Sequence, residues 1–109
     1  MNIDIEIVDN TTVVIPRGDV DMLQSSKLRE VLKPVLDNST ARVVVDLSEV
    51  GYMDSSGIAT LIEALQICKQ KDMQFVICNL GEGVRSIIEL ARLDTIFMIT
   101  SSREEAFGA

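Results

Sequence analysis

Apolar and polar residues alternate one for one through Ile3-Asp-Ile-Glu-Ile-Val8, and a β-branched run follows at Thr12-Val-Val-Ile15. A period of two and branched side chains both suit a pleated strand, so the chain is expected to open with two strands joined by a tight turn at Asp9-Asn10. Beyond Gly18-Asp19-Val20-Asp21 the period lengthens. Leu28, Val31, Leu32, Val35 and Leu36 recur at three and four residues, which predicts an amphipathic helix with Ser25 or Ser26 as its cap. Pro34 lacks a backbone donor and is expected to kink or end that helix near Lys33.

The polar break Asn38-Ser39-Thr40 leads into Arg42-Val-Val-Val-Asp-Leu47, a continuous apolar run typical of a strand buried on both faces at a sheet centre. Ile58, Leu61, Ile62, Leu65 and Cys68 then mark the inner face of a second helix, with Thr60, Glu63, Gln66 and Lys69 on its other side. Met73-Gln-Phe-Val-Ile-Cys78 reads as another strand. Gly81 to Gly83 opens a third helix with Val84, Ile87, Ile88 and Ala91 facing inward, Ile96-Phe-Met-Ile99 forms a short last strand, and a few helical residues follow Ser102. Strands separated by single helices favour parallel pairing through right-handed crossovers, while the opening pair forms an antiparallel hairpin. The expected fold class is α/β, a mixed sheet of four to five strands with helices packed against it.

Composition narrows the function more than the fold. The 109 residues, 47% of them hydrophobic, suit one compact domain over residues 1–109 and leave no room for a second. Seventeen acidic against ten basic residues give a formal charge of −7, which disfavours nucleic acid and anionic membrane surfaces and favours a partner with basic or mixed charge. No apolar run reaches the ~18 residues of a membrane span, and the first residues lack the basic-then-apolar order of a signal peptide. A soluble, cytoplasmic protein is the expectation. Cys68 and Cys78 lack the C-x-x-C spacing of redox and zinc sites, so both are expected as reduced, buried thiols.

The stretch Met53-Asp-Ser-Ser-Gly57 carries the candidate chemistry. A serine hydrolase elbow needs glycine two positions before the nucleophile, where Met53 precedes Ser55, and a chain with no histidine holds no Ser-His-Asp triad. An aspartic protease pair needs a second acidic loop of the same kind, and metal hydrolysis would rest on scattered carboxylates alone. An enzyme is therefore not expected. Asp54 or Ser55 can cap the following helix. Gly57, inside the first turn, costs about 1 kcal/mol relative to alanine, and its missing side chain is expected to let another protein approach the serines. A hydroxyl at a helix start is also a favourable place for a phosphate, because free N–H groups and the positive end of the helix dipole face it.

Arg42-Val-Val-Val-Asp-Leu47 followed by Ser48-Glu-Val-Gly-Tyr-Met-Asp-Ser-Ser-Gly57 and an amphipathic helix resembles the signature of STAS domains, specifically the bacterial anti-sigma factor antagonists. Arg17-Gly-Asp-Val-Asp21 resembles their Gly-Glu-Leu-Asp turn, and Asn79 to Ile99 resembles their last helix and strand, so the resemblance spans nearly the whole chain. Ile58-Ala59 stands where the family often has Leu-Gly, and Asp19-Val20 where it has Glu-Leu, changes that preserve size and charge.

The resemblance implies a partner switch. The unphosphorylated antagonist binds an anti-sigma factor that is also a serine kinase, which frees a sigma factor for transcription. That kinase phosphorylates the serine after the motif aspartate, here Ser55, and a metal-dependent serine phosphatase restores it. Asp21 corresponds to the aspartate near the phosphorylation loop, Asp54 precedes the acceptor, Ser56 supports the turn, and Asp19 and Gly57 complete the partner-binding set. ATP and metal belong to the partners, so no cofactor is expected on this chain. Two other readings stay open from sequence: an accessory STAS subunit of a lipid or anion transporter, docked on a membrane complex without inserting, and a phosphate-receiver domain with Asp46 as acceptor.

Overall fold

The computed structural model describes residues 1–38 and 41–108, so Ser39 and Thr40 of the expected polar break lie outside the described residues. Its elements run β1 (Asn2–Val8), β2 (Thr11–Arg17), α1 (Met22–Asp37), β3 (Arg42–Asp46), α2 (Ser55–Gln70), β4 (Gln74–Cys78), α3 (Glu82–Leu90), a 3₁₀ turn (Leu93–Thr95), β5 (Met98–Thr100) and α4 (Arg103–Phe107). The strands form a five-stranded sheet in the order β1-β2-β3-β4-β5. β1 and β2 are antiparallel, turning at Asp9, and β2 through β5 are parallel. The apolar run of β3 occupies the centre, with Val43 and Val45 on one face and Val44 on the other.

One face of the sheet carries most of the core. Val14, Val43, Val45, Phe75 and Ile77 meet Leu28, Leu32 and Leu36 of α1, Leu61 and Leu65 of α2, and Val84 and Ile88 of α3. Burying such side chains contributes about 1.5–3 kcal/mol each. The opposite face, Val13, Ile15, Val44, Val76 and Cys78, is covered by Ala106 and Phe107 of the short α4. Both cysteines are free and buried, and desolvation pushes the Cys68 thiol up to about 11 and the Cys78 thiol up to about 12. Among the described residues no helix is long and apolar enough to cross a membrane.

Several local expectations are corrected. The cap of α1 is Asp21, whose carboxylate accepts from the Gln24 N–H at 2.9 Å, four to five residues before the serines expected there. The helix also continues past Pro34 to Asp37. Pro34 and Glu30, whose carbonyl it leaves without a helical donor, lie on the exposed side of the helix, while buried Val35 and Leu36 hold the last turn down. Val31 is half-buried rather than central to the stripe. Thr60, placed on the outer side of α2 by its period, is buried because its hydroxyl donates to the Ser56 carbonyl one turn earlier, at 3.0 Å. Ala91 is exposed because α3 ends at Leu90, and the 3₁₀ turn delays the last strand to Met98.

Candidate functional site

The loop between β3 and α2 is fastened to the loop between β2 and α1. Gly18, at φ +100°, a conformation suited to glycine, donates its N–H to the Glu49 carbonyl at 2.9 Å. The Val20 N–H donates to the Tyr52 carbonyl at 2.9 Å and the Asp54 N–H to the Val20 carbonyl at 3.1 Å, a one-rung parallel bridge between Val20 and Met53. Val20 and Met53 are fully buried. Two segments far apart in sequence are thus locked side by side, and the N-termini of α1 and α2 emerge together.

Asp54 caps α2. Its Oδ1 accepts from the Ser56 N–H at 2.9 Å, the Gly57 N–H at 3.2 Å and the Ser56 hydroxyl. The Ser56 hydroxyl bond contributes most to holding its carboxyl below the usual carboxylate range; burial opposes that, and the N–H groups of Gly57, Ser56 and Met22 add to it. The bond from the Asp54 N–H to the Val20 carbonyl ties the cap of α2 to the turn that enters α1. Ser55, the first residue of α2, is exposed, and its hydroxyl has no hydrogen-bond partner among the described residues. The two serines therefore differ in kind: Ser56 is occupied within the turn, whereas Ser55 presents its hydroxyl to solvent.

The six site residues named from sequence gather here. Asp19 is exposed beside Gly51, Asp21 and Asp54 cap the two helices, and Ser55, Ser56 and Gly57 form the first turn of α2. The expected role of Gly57 is corrected. It is buried, and a Cβ there would lie 2.4 Å from Met53 Cγ and 3.0 Å from Val20 Cγ1, so the missing side chain makes room for the protein's own bridge rather than for a visitor. Gly57→Ala is expected to destabilise the domain by about 1–2 kcal/mol, since overpacking costs about 1–3 and helix propensity returns up to about 1. Chemical denaturation measures this, and a neutral result would show that Met53 yields freely.

Asp46 does not serve as a phosphate acceptor. Its side chain is 3% exposed and accepts from Arg103 Nε at 2.6 Å, the Ser48 N–H at 3.0 Å and Asn79 Nδ2 at 3.1 Å. Burial alone would raise its pKa, and the bonds from Arg103, the Ser48 N–H and Asn79 together bring it below the ordinary value. A receiver needs an accessible carboxylate at this position.

What sequence reasoning missed is apolar. Met22 and Leu23 of the first turn of α1 are 75% and 68% exposed, and Tyr52, one residue before the bridge, is 49% exposed. Met22 and Leu23 fall out of phase with the Leu28, Leu32, Val35 and Leu36 stripe, and that phase error is the signal by which the sequence could have shown them.

The STAS domain family model matches residues 2–106. The chain belongs to the STAS domain family. This STAS domain is 27% identical over 106 residues to the anti-sigma-B factor antagonist of Staphylococcus aureus, covering 95% of the chain and 98% of that relative. It also superposes on an anti-sigma factor antagonist from Mycobacterium paratuberculosis with a TM-score of 0.89 at 26% identity, over 98% of this chain and 91% of that one. The anti-sigma factor antagonist SpoIIAA in its unphosphorylated form has the same fold, with a TM-score of 0.81 at 17% identity, over 96% of this chain and 93% of that one.

Proposed function

We propose that this STAS domain is an anti-sigma factor antagonist whose hold on its partner is switched off by phosphorylation of Ser55. The observation that carries the reading is the contrast between the two hydroxyls, Ser55 exposed and unbonded among the described residues, Ser56 engaged by Asp54. Relatives named anti-sigma factor antagonists support the partner class. In the unphosphorylated state the domain binds an anti-sigma factor with serine kinase activity and frees a sigma factor. The kinase then moves the γ-phosphoryl group of ATP to Ser55 Oγ, releasing ADP while the hydroxyl proton passes to a kinase base. A metal-dependent serine phosphatase hydrolyses the ester and resets the cycle.

Within this reading the residues divide the work. Asp19 and Asp21 face the partner, Asp54 and Ser56 hold the turn that presents Ser55, and Gly57 acts through its packing on Val20 and Met53. The domain is a regulatory binding protein; catalysis belongs to the kinase and phosphatase.

The test is the ATP sensitivity of the complex. With a purified anti-sigma factor kinase, the wild-type complex is expected to persist on gel filtration without ATP and dissolve with Mg-ATP, whereas the Ser55→Ala complex persists in both. A Ser55→Ala complex that dissolves with ATP as fast as wild type would remove Ser55 from the switch.

A further inference from the structure

Met22, Leu23 and Tyr52 are exposed apolar residues on the two backbone-paired segments that lead into α1 and α2. Soluble proteins scatter single apolar residues over their surfaces without consequence, but two consecutive residues at 75% and 68% exposure in one helical turn are a different matter. Helical side chains lean toward the N-terminus of their helix, so Met22 and Leu23 lean over the end of α1, which the bond from the Asp54 N–H to the Val20 carbonyl holds beside the Asp54 cap. The backbone bond from the Val20 N–H to the Tyr52 carbonyl brings the loop that carries Tyr52 beside the turn that enters α1. Around this group stand the carboxylates of Asp19, Asp21 and Asp54, the first of them exposed and the second using one oxygen on Gln24. Other exposed apolar residues, such as Ile7 on β1 and Leu90 at the end of α3, belong to elements outside these two joined loops.

We infer that Met22 and Leu23, with Tyr52, are the anchor by which the domain selects its anti-sigma factor, and that the matching surface is an apolar pocket flanked by arginine or lysine side chains. This inference rests on the anti-sigma factor antagonist reading above. An apolar centre inside a charged rim is the usual anatomy of a specific interface, in which a few buried anchors supply most of the affinity and charges supply orientation. Affinity and switching are then carried by different neighbours: the anchor holds the partner, and the charge state of Ser55 decides whether the rim tolerates it. The basic flank follows from the three carboxylates, which an acidic partner surface could not approach.

Titration calorimetry of an anti-sigma factor kinase that binds the wild-type chain separates these roles. The variant Met22→Ala/Leu23→Ala is expected to bind at least about tenfold more weakly, with a thermal midpoint near wild type and the same dependence on salt, because the charged rim is untouched. Leu23→Gln, close in size, is expected to weaken binding in the same direction. Binding of both variants within twofold of wild type, while Ser55→Asp binds weakly, overturns the anchor and leaves the switch standing. Unchanged binding of Ser55→Asp overturns the switch instead, and the Met22 and Leu23 variants still decide the anchor. Failure of every anti-sigma factor kinase to bind the wild-type chain overturns both.

Discussion

Phosphorylated at Ser55, the domain is expected to bind its anti-sigma factor about 100-fold more weakly than the unmodified chain. The phosphate brings about −1.5 to −2 charges to a place already surrounded by Asp19, Asp21 and Asp54. A phosphate at a helix start is ordinarily neutralised by free N–H groups. Here Asp54 already takes those of Ser56 and Gly57. The added charge therefore faces outward. Like-charge contact or an unpaired charge at an interface costs several kcal/mol, and about 3 kcal/mol corresponds to about 100-fold in affinity. Ser55→Asp, with a single added charge, is expected to act in the same direction with a smaller effect. Higher salt narrows both differences, because exposed charges are screened within about 10 Å at 0.1 M. Calorimetry on phosphorylated and unphosphorylated protein measures this, and affinities within threefold of each other would refute the electrostatic account.

Arg103→Met is expected to cost the fold about 3 kcal/mol while leaving the Asp54-Ser55-Ser56 turn chemically intact. Arg103 bridges the sheet, giving Nε to Asp46 at 2.6 Å and Nη1 to Glu6 at 2.7 Å, and so pins α4 over the second face. The variant leaves a carboxylate buried with only the Ser48 N–H and Asn79 as donors, and breaking such a pair costs about 3–5 kcal/mol. The lower figure applies because those donors remain. The pH dependence has a definite sign. The folded-state pKa of Asp46 lies below its ordinary value, so its contribution is present above the usual carboxylate range near pH 4 and is lost as pH falls through the lowered folded value. The gap in stability between wild type and Arg103→Met is therefore expected to be full at neutral pH and to narrow in acid. Urea unfolding from pH 7 to pH 3 measures it, and a gap that widens in acid would contradict the assignment.

Periodicity carried most of the fold because the sheet is simple: each strand neighbours the next in sequence, and each of the three parallel crossovers carries a helix where the period changes. What periodicity missed were bonds that cross the repeat. Thr60 is polar yet buried because a carbonyl one turn earlier accepts its proton, and α1 outlasts Pro34 because the lost donor faces water. The Asp21 cap escaped notice because the aspartate belongs to a turn whose role is set by a loop some thirty residues later, through the bonds between Val20, Tyr52 and Asp54. The site residues were legible as a motif, but their division of labour was not. Nothing in the letters of Ser55 and Ser56 distinguishes a free hydroxyl from a bound one, and the inward reason for Gly57 appears only when Met53 and Val20 are seen against it.

The partner kinase is expected to act on the serine whose hydroxyl is free and to pass over the one that Asp54 holds. Fragmentation mass spectrometry of the wild-type chain, after incubation with an anti-sigma factor kinase and Mg-ATP, tests it directly. The predicted result is a single phosphate on Ser55, removed by a metal-dependent serine phosphatase; phosphate on Ser56, with Ser55 unmodified, would contradict the account.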